Sequence, residues 1–266
     1  MPSPTSRRFS HGALTVHQIP CLKDNYAFLL RDEETGDVAV VDTPEAGPIL
    51  ALADDLGWRI GTILNTHWHA DHTGGNEEIK AAHGARIVGP AAEGDRIPGR
   101  DEAVSEGNEV RVGNLRAAVI ATPGHTRGHI TYHFESVGVL FPGDTLFSLG
   151  CGRLFEGTPE EMWSSLSKIR ALPDETVAYP AHEYTVSNAK FALGIDPGNA
   201  ALRDRAAEAE RQRAAGEPTL PVRLGAEKAQ NPFLRADDPG LAVAVGLEGS
   251  PPAQVFAEAR RRKDQA

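Results

Sequence analysis

Three imidazoles and a carboxylate fall within one short run, Thr66-His67-Trp68-His69-Ala70-Asp71-His72, directly after the apolar segment Ile60-Gly61-Thr62-Ile63-Leu64-Asn65. The apolar segment reads as a buried strand. The polar side chains must therefore splay from one irregular turn at its carboxyl end, where α/β sheets open into a crevice. Imidazole nitrogen and carboxylate oxygen are the donors that Zn²⁺ and borderline first-row metals take, and catalytic sites use three protein ligands with a position left for water. A solvated polar loop is the bland alternative. A chain with 10 His in 266 residues seldom gathers three of them beside an Asp at this spacing by accident, and the strand-then-turn context is what such a motif requires.

The rest of the chain bounds what that chemistry can act on. A formal net charge of −10 disfavours nucleic acid or an anionic membrane as the main partner, because those depend on neutralising phosphates with Lys and Arg. A small substrate fits better, and a local cationic cluster, Arg260-Arg261-Arg262-Lys263, could still receive an anionic one. No apolar run approaches the ~20 residues of a membrane span. Residues 1–12 carry Ser, Pro and Arg without the apolar stretch of a signal peptide, so a short disordered start is expected, in a cytoplasmic protein. Cys21 and Cys151 are far apart and lack C-x-x-C spacing, which argues for packing thiols over a disulfide, a thiolate metal site or a nucleophile.

Patterning predicts a sheet entered through hairpins, with strands at residues 14–19, 26–30 and 38–41. Helices at 49–56 and 76–83 flank the strand at 60–64, and more strands follow at 117–121, 130–134 and 137–141. A helix at 160–171 is opened by Thr158-Pro159 and stopped by Pro173. After about residue 183 strand patterning stops and Ala-, Arg- and Glu-rich helical segments take over, notably 199–215 and 252–263. Two domains are expected: residues 1–183, carrying the metal motif, and a small all-α domain at 184–266.

Three further metal-capable side chains sit in Pro- or Gly-punctuated turns after strands: His125 in Thr122-Pro123-Gly124-His125-Thr126, Asp144 in Phe141-Pro142-Gly143-Asp144-Thr145, and His182 in Tyr179-Pro180-Ala181-His182-Glu183. A lone His after a strand is more often structural, but the recurrence beside the first motif reverses that weighting. Together they give enough ligands for two metals, three terminal donors each, with one carboxylate bridging. Asp144, coming singly from its own turn, is the natural bridge. Two such ions ~3.5–4 Å apart can lower the pKa of a shared water and polarise a carbonyl, which points to a binuclear hydrolase. Asp42, ending the 38–41 strand, is placed to hydrogen-bond a ligating imidazole. His129 reads as supporting rather than ligating, and Trp68 as packing.

These residues resemble the metallo-β-lactamase superfamily, and within it the glyoxalase II branch, the hydroxyacylglutathione hydrolases. The resemblance runs nearly end to end. It includes Ile19 to Tyr26, the 66–72 motif, Thr122 to Thr126 with Gly128-His129-Ile130, Gly143 to Phe147, Gly150-Cys151-Gly152-Arg153-Leu154-Phe155-Glu156-Gly157-Thr158, His182-Glu183-Tyr184-Thr185, Asn231 to Arg235 and the basic end. It implies a four-layer αββα sandwich followed by the helical domain. One metal would be held by His67, His69 and His125, the other by Asp71, His72 and His182, with Asp144 bridging. The two divalent ions would be Zn first, with Fe or Mn as alternatives.

The implied reaction is hydrolysis of S-(2-hydroxyacyl)glutathione, chiefly S-D-lactoylglutathione, to glutathione and D-lactate in methylglyoxal detoxification, by a metal-bridging hydroxide. Asp71 and Asp144 are the implied catalytic carboxylates. Arg153, Leu154, Phe155, His182, Tyr184, Arg260 and Lys263 are the implied substrate contacts. Many animal members carry Lys then Tyr where this chain has Arg153 and Phe155, so a phenolic hydrogen bond is missing. The expected partner is the small thioester alone, without nucleic acid or membrane, acting on a monomer. The alternatives from the same superfamily are a mononuclear-iron persulfide dioxygenase and another hydrolase such as a lactonase.

Overall fold

Residues between Leu14 and Asp32, with the continuous apolar run Tyr26 to Leu30, build a long hairpin closed to solvent at nearly every strand position, and the sheet grows outward from it. The computed structural model describes residues 6–266. They divide into two compact units: the described residues through Ala121 with Gly128–Gly143, and Thr122–Arg127 with Asp144–Ala266.

In the first unit, seven strands follow one another across a sheet in chain order: β1 (Arg7–His11), β2 (Leu14–Cys21), β3 (Asn25–Asp32), β4 (Val38–Val41), β5 (Ile60–Leu64), β6 (Arg86–Pro90) and β7 (Glu102–Val104). The pairing is antiparallel as far as β4 and parallel from β4 to β7. Parallel neighbours need a crossover, and the helices lie in those connections: α1 (Ala46–Leu56) before β5, then α2 (Ala70–Thr73) and α3 (Asn76–His83) before β6. Helix α1 buries Ile49, Leu52 and Ala53 against the sheet and ends at Gly57, whose φ of 65° is the left-handed closing conformation. Strand β4 is buried throughout, as expected of a strand covered on both faces.

A second, antiparallel sheet in the same unit comprises β8 (Glu109–Val112), β9 (Leu115–Ala121), β10 (Ile130–Phe134) and β11 (Val139–Phe141). It shares a core with the first: the Phe28 and Phe141 rings lie 5.4 Å apart, and fully buried Tyr132 donates its hydroxyl to Asn65 O at 2.9 Å. That hydrogen bond ties β10 to the residue following β5.

The second unit opens with a short hairpin, β12 (Leu146–Phe147) and β13 (Gly150–Cys151). Helix α4 (Pro159–Arg170) follows, started by a capping box between Thr158 and Glu161. Strand β14 (Val177–Ala178) pairs with β15 (Val222–Arg223), and α5 (Thr185–Ile195), α6 (Ala200–Ala214), α7 (Leu224–Gln230), α8 (Pro239–Ala244) and α9 (Pro252–Asp264) complete the unit. Its packing includes Leu149, Ala189, Ala192, Leu202 and Ala206, with Phe233 edge-on to Phe256.

Most predicted elements are present within a few residues. The expectation of an unstructured start is corrected for residues 7–11, which form β1 paired along β2; residues 1–5 lie outside the described residues. Arg7 and Arg8 disguise this edge strand, because one face of it is solvated. Strand β11 begins at Val139, not at Val137, since Gly138 at φ 63° closes a turn before it. Helix α5 falls within the expected helical domain, but the pattern does not mark its bounds: Thr185 and Asn188 occupy buried positions, so its inner face carries a mixed apolar signal.

Candidate metal centre

The first unit presents four of the predicted ligands where β5 ends. The turn after Leu64 is held from below: Thr66 donates its N–H and its hydroxyl to the Asp42 carboxylate at 2.9 and 2.8 Å, and Asn65 Nδ2 donates to His72 O at 2.9 Å. Asn76 completes the support, donating to Asn65 Oδ1 at 2.8 Å and accepting from the Thr43 hydroxyl at 2.6 Å. On this base His67 and His72 are fully buried. His67 Nε2 and His69 Nδ1 face each other at 3.0 Å, and His72 Nε2 lies 3.7 Å from Asp71 Oδ2. Two imidazole nitrogens in such opposition suit a shared cation.

The tautomer of His72 follows from its other nitrogen. Nδ1–H donates to Asp42 Oδ2 at 2.8 Å, which leaves the Nε2 lone pair for a ligand role. Asp42 therefore does what its position predicts, and it adopts a φ of 50°, a region few non-glycine residues occupy. His129 packs its ring against His67 with centroids 4.8 Å apart. Trp68 packs under the Arg96 guanidinium at 4.8 Å and edge-on to His69. One residue escaped the sequence reading: Asn25 Nδ2 donates to Asp71 O at 3.0 Å and Asp71 Oδ2 at 3.1 Å, orienting that carboxylate. Its signal was available in the segment Lys23-Asp24-Asn25-Tyr26, but a polar residue after a turn carries no unique chemistry.

The second unit presents the other three. His125 Nδ1–H donates to Arg153 O at 2.7 Å, and its Nε2 lies 3.3 Å from Asp144 Oδ2. His182 Nε2 lies 3.4 Å from Asp144 Oδ1. The two oxygens of one carboxylate thus address two different imidazoles, which is the arrangement a bridging ligand needs. Gly152 makes this possible, since a Cβ there would stand 2.0 Å from Asp144 O and 3.1 Å from His125 Nδ1. Gly143, at φ 51°, admits no side chain either: its Cβ would meet Thr66 Oγ1 at 2.6 Å and His129 Nε2 at 2.7 Å.

The expected substrate residues have distinct settings in this unit. Tyr184 stacks on His182 with rings 4.7 Å apart and 9° from parallel. Phe155 is 61% exposed and stands edge-on to His125 at 5.2 Å; Leu154 is half-buried and Arg153 exposed. Arg260 is buried over the Phe233 ring, donating to Cys151 O at 3.0 Å and Asp264 Oδ1 at 2.8 Å. Lys263 donates to Ser187 O at 3.1 Å, and burial with Arg260 nearby holds its ammonium below the ordinary range. Both cysteines are buried, which pushes the thiol of Cys21 up to about 12 and that of Cys151 to about 11, so neither is a nucleophile at neutral pH.

His and Asp donors of this kind, on this scaffold, support binding of divalent metal. Residues 23–182 match the metallo-β-lactamase superfamily, and residues 183–266 match the hydroxyacylglutathione hydrolase C-terminus. The structure is similar to the crystal structure of ETHE1 from Myxococcus xanthus, with a TM-score of 0.63 at 24% identity, covering 97% of each chain. The fold is that of the metallo-β-lactamases, with a helical C-terminal region. Over 251 residues the chain is 55% identical to the hydroxyacylglutathione hydrolase of Maricaulis maris, covering 94% of this chain and 98% of that one. It is likewise 55% identical over 253 residues to the hydroxyacylglutathione hydrolase of Rhodospirillum rubrum, covering 95% and 99%. The chain belongs to the hydroxyacylglutathione hydrolase family, the glyoxalase II branch of the superfamily.

Proposed function

We propose that this chain hydrolyses S-(2-hydroxyacyl)glutathione thioesters, chiefly S-D-lactoylglutathione, to glutathione and D-lactate. The observation that carries the reading is the Asp144 carboxylate with one oxygen toward His125 and the other toward His182. In this reading His67, His69 and His125 would hold one divalent ion and Asp71, His72 and His182 a second, with Asp144 as the carboxylate they would share. The donor set, five imidazoles and two carboxylates without a thiolate, fits Zn first and also admits Fe or Mn. When bound, such a pair lowers the pKa of a water toward neutrality and polarises a carbonyl.

The chain's own residues do the rest. Asp42 and the Arg153 carbonyl each accept the Nδ1 proton of a histidine, His72 and His125, so that both present Nε2 as a lone pair. Asp71, oriented by Asn25, would aim the attacking hydroxide at the thioester as well as serve as a ligand. The departing thiolate needs little acid assistance, since a thiol ionises near ~8.5. Arg153, Leu154, Phe155 and Tyr184 frame the thiol carrier, with His182 beside them, while Arg260 and Lys263 receive its terminal carboxylate.

The domain boundary at 183/184, action as a monomer on a small thioester without nucleic acid or membrane, and a cytoplasmic setting complete the proposal. Among the described residues no helix is long and apolar enough to cross a membrane. The oxygenase and lactonase alternatives have less support, since the near-full-length relatives carry the hydrolase name. The test is release of free thiol from S-D-lactoylglutathione by purified protein. Saturable release supports the reading, and none from folded, metal-loaded protein overturns it.

A further inference from the structure

Helix α9 ends Arg260-Arg261-Arg262-Lys263-Asp264, and the acid is out of place: a carboxylate at a helix C-terminus opposes the macrodipole that favours the basic residues before it. Arg261 and Arg262 are already matched by Glu258. Asp264 instead turns one oxygen, Oδ1, toward two other guanidiniums, 2.8 Å from Arg260 Nη2 and 3.5 Å from Arg153 Nε. Arg153 comes from the segment after β13 and Arg260 from α9, so a single carboxylate oxygen joins the two cationic elements assigned above to the thiol carrier. Lys263, the third cation, is its immediate neighbour in the chain and is turned toward the Ser187 carbonyl.

We propose that Asp264 is an internal stand-in for the carrier's terminal carboxylate, holding the Arg153–Arg260 pair in the free protein and setting carrier affinity and selectivity by having to be displaced. The inference rests on the hydrolase reading of the preceding section. Its physical basis is the burial of Arg260, whose side chain is 8% exposed: a buried guanidinium without a counter-ion is costly, so an empty carrier site needs an anion of its own. The stand-in is displaceable, because Asp264 is 35% exposed and can rotate toward water. A carrier that brings a carboxylate replaces one ion pair by another. A carrier ending in a neutral amide has nothing to exchange and leaves the Asp264 pairs in place, so the cost of displacement falls on the anionic carrier alone.

A plain counter-ion role for Asp264 predicts a different result, and two carriers separate the two. Full-length metal-loaded wild type, Asp264→Asn and Asp264→Ser are assayed on S-D-lactoylglutathione and on the same thioester carried by glutathione glycinamide, with melting temperature as a check on folding. The expected result is a KM for lactoylglutathione lower in both variants by about two- to fivefold, the range for one partly exposed pair. The change in kcat is smaller, and no comparable fall occurs for the glycinamide carrier. Asp264→Glu, which keeps the charge, stays close to wild type on both. An unchanged or raised KM for lactoylglutathione, or an equal fall on both carriers, overturns the assignment of Asp264. Absence of thiol release from wild type itself overturns the hydrolase reading and this inference with it.

Discussion

Asp42 accepts the Nδ1 proton of His72 at 2.8 Å, across 30 residues of sequence, with both side chains closed to solvent. The same carboxylate receives two hydrogen bonds from Thr66, so one residue sets both the tautomer of a candidate ligand and the shape of the turn that carries it.

Asp42→Asn keeps the shape and removes the charge. Outer partners of metal-binding histidines typically contribute about 10- to 100-fold in metal affinity, and a loss of that order is expected here. Chelator competition followed by metal analysis of the recovered protein measures it; metal retention equal to wild type would remove Asp42 from the site's account.

Asp144→Asn leaves one oxygen and offers an amide nitrogen to the second imidazole. Turnover of lactoylglutathione is expected to fall by about 10²-fold or more, since the stabilisation at stake is several kcal/mol. Circular dichroism should be little changed. Near-normal turnover with metal bound would contradict the bridging role.

Gly152→Ala tests the cradle rather than a ligand. A Cβ at 2.0 Å from Asp144 O cannot be accommodated without moving the Asp144 backbone. A displacement near 1 Å lowers rates by about 10²-fold, so kcat is expected to fall that far while the protein still binds metal. Titration of metal content alongside steady-state rates separates the two effects.

Glu227 is fully buried and accepts hydrogen bonds from Ser148 Oγ, Leu149 N and Asn231 Nδ2, at 2.9, 2.8 and 3.0 Å, bracing the hairpin that leads to Gly152 and Arg153. Burial raises its pKa above the ordinary carboxyl value, with those hydrogen bonds opposing in part. A raised folded-state pKa means that Glu227 contributes stability fully below the unfolded value of an ordinary carboxyl, and that this contribution is lost as pH rises through the folded value. Glu227→Gln removes that titration. The melting temperature of the variant minus that of wild type should therefore climb as pH rises from the ordinary carboxyl range upward, whatever the constant offset from altered hydrogen bonding. A difference independent of pH would show that the carboxyl does not titrate differently in the folded state.

Legibility in the sequence followed sequence distance. His67, His69, Asp71 and His72 were readable because the chain itself brings them together, on one turn after a strand whose apolar pattern is plain. Strands β2 to β4 were readable as apolar runs because they are buried almost throughout, and helices α1, α3, α4 and α9 because one face meets the core and the other meets water. The edge strand β1 and the bounds of helix α5 were not, because solvated Arg7 and Arg8 in the one, and buried Thr185 and Asn188 in the other, break the simple pattern.

The sequence alone determined the chemistry available: five imidazoles and two carboxylates in turns at strand ends, no reactive thiol, a basic terminal helix, and a motif set specific enough to name a family. The tertiary structure decided what each of those groups faces. Asp144 divides its oxygens between His125 and His182, Asn25 holds Asp71, the Arg153 carbonyl takes the His125 proton, and Asp264 lies between Arg153 and Arg260. Hydrogen bonds and ion pairs act over about 3 Å and depend on direction, so contacts between residues tens of positions apart exist only once packing has set the backbones that carry them.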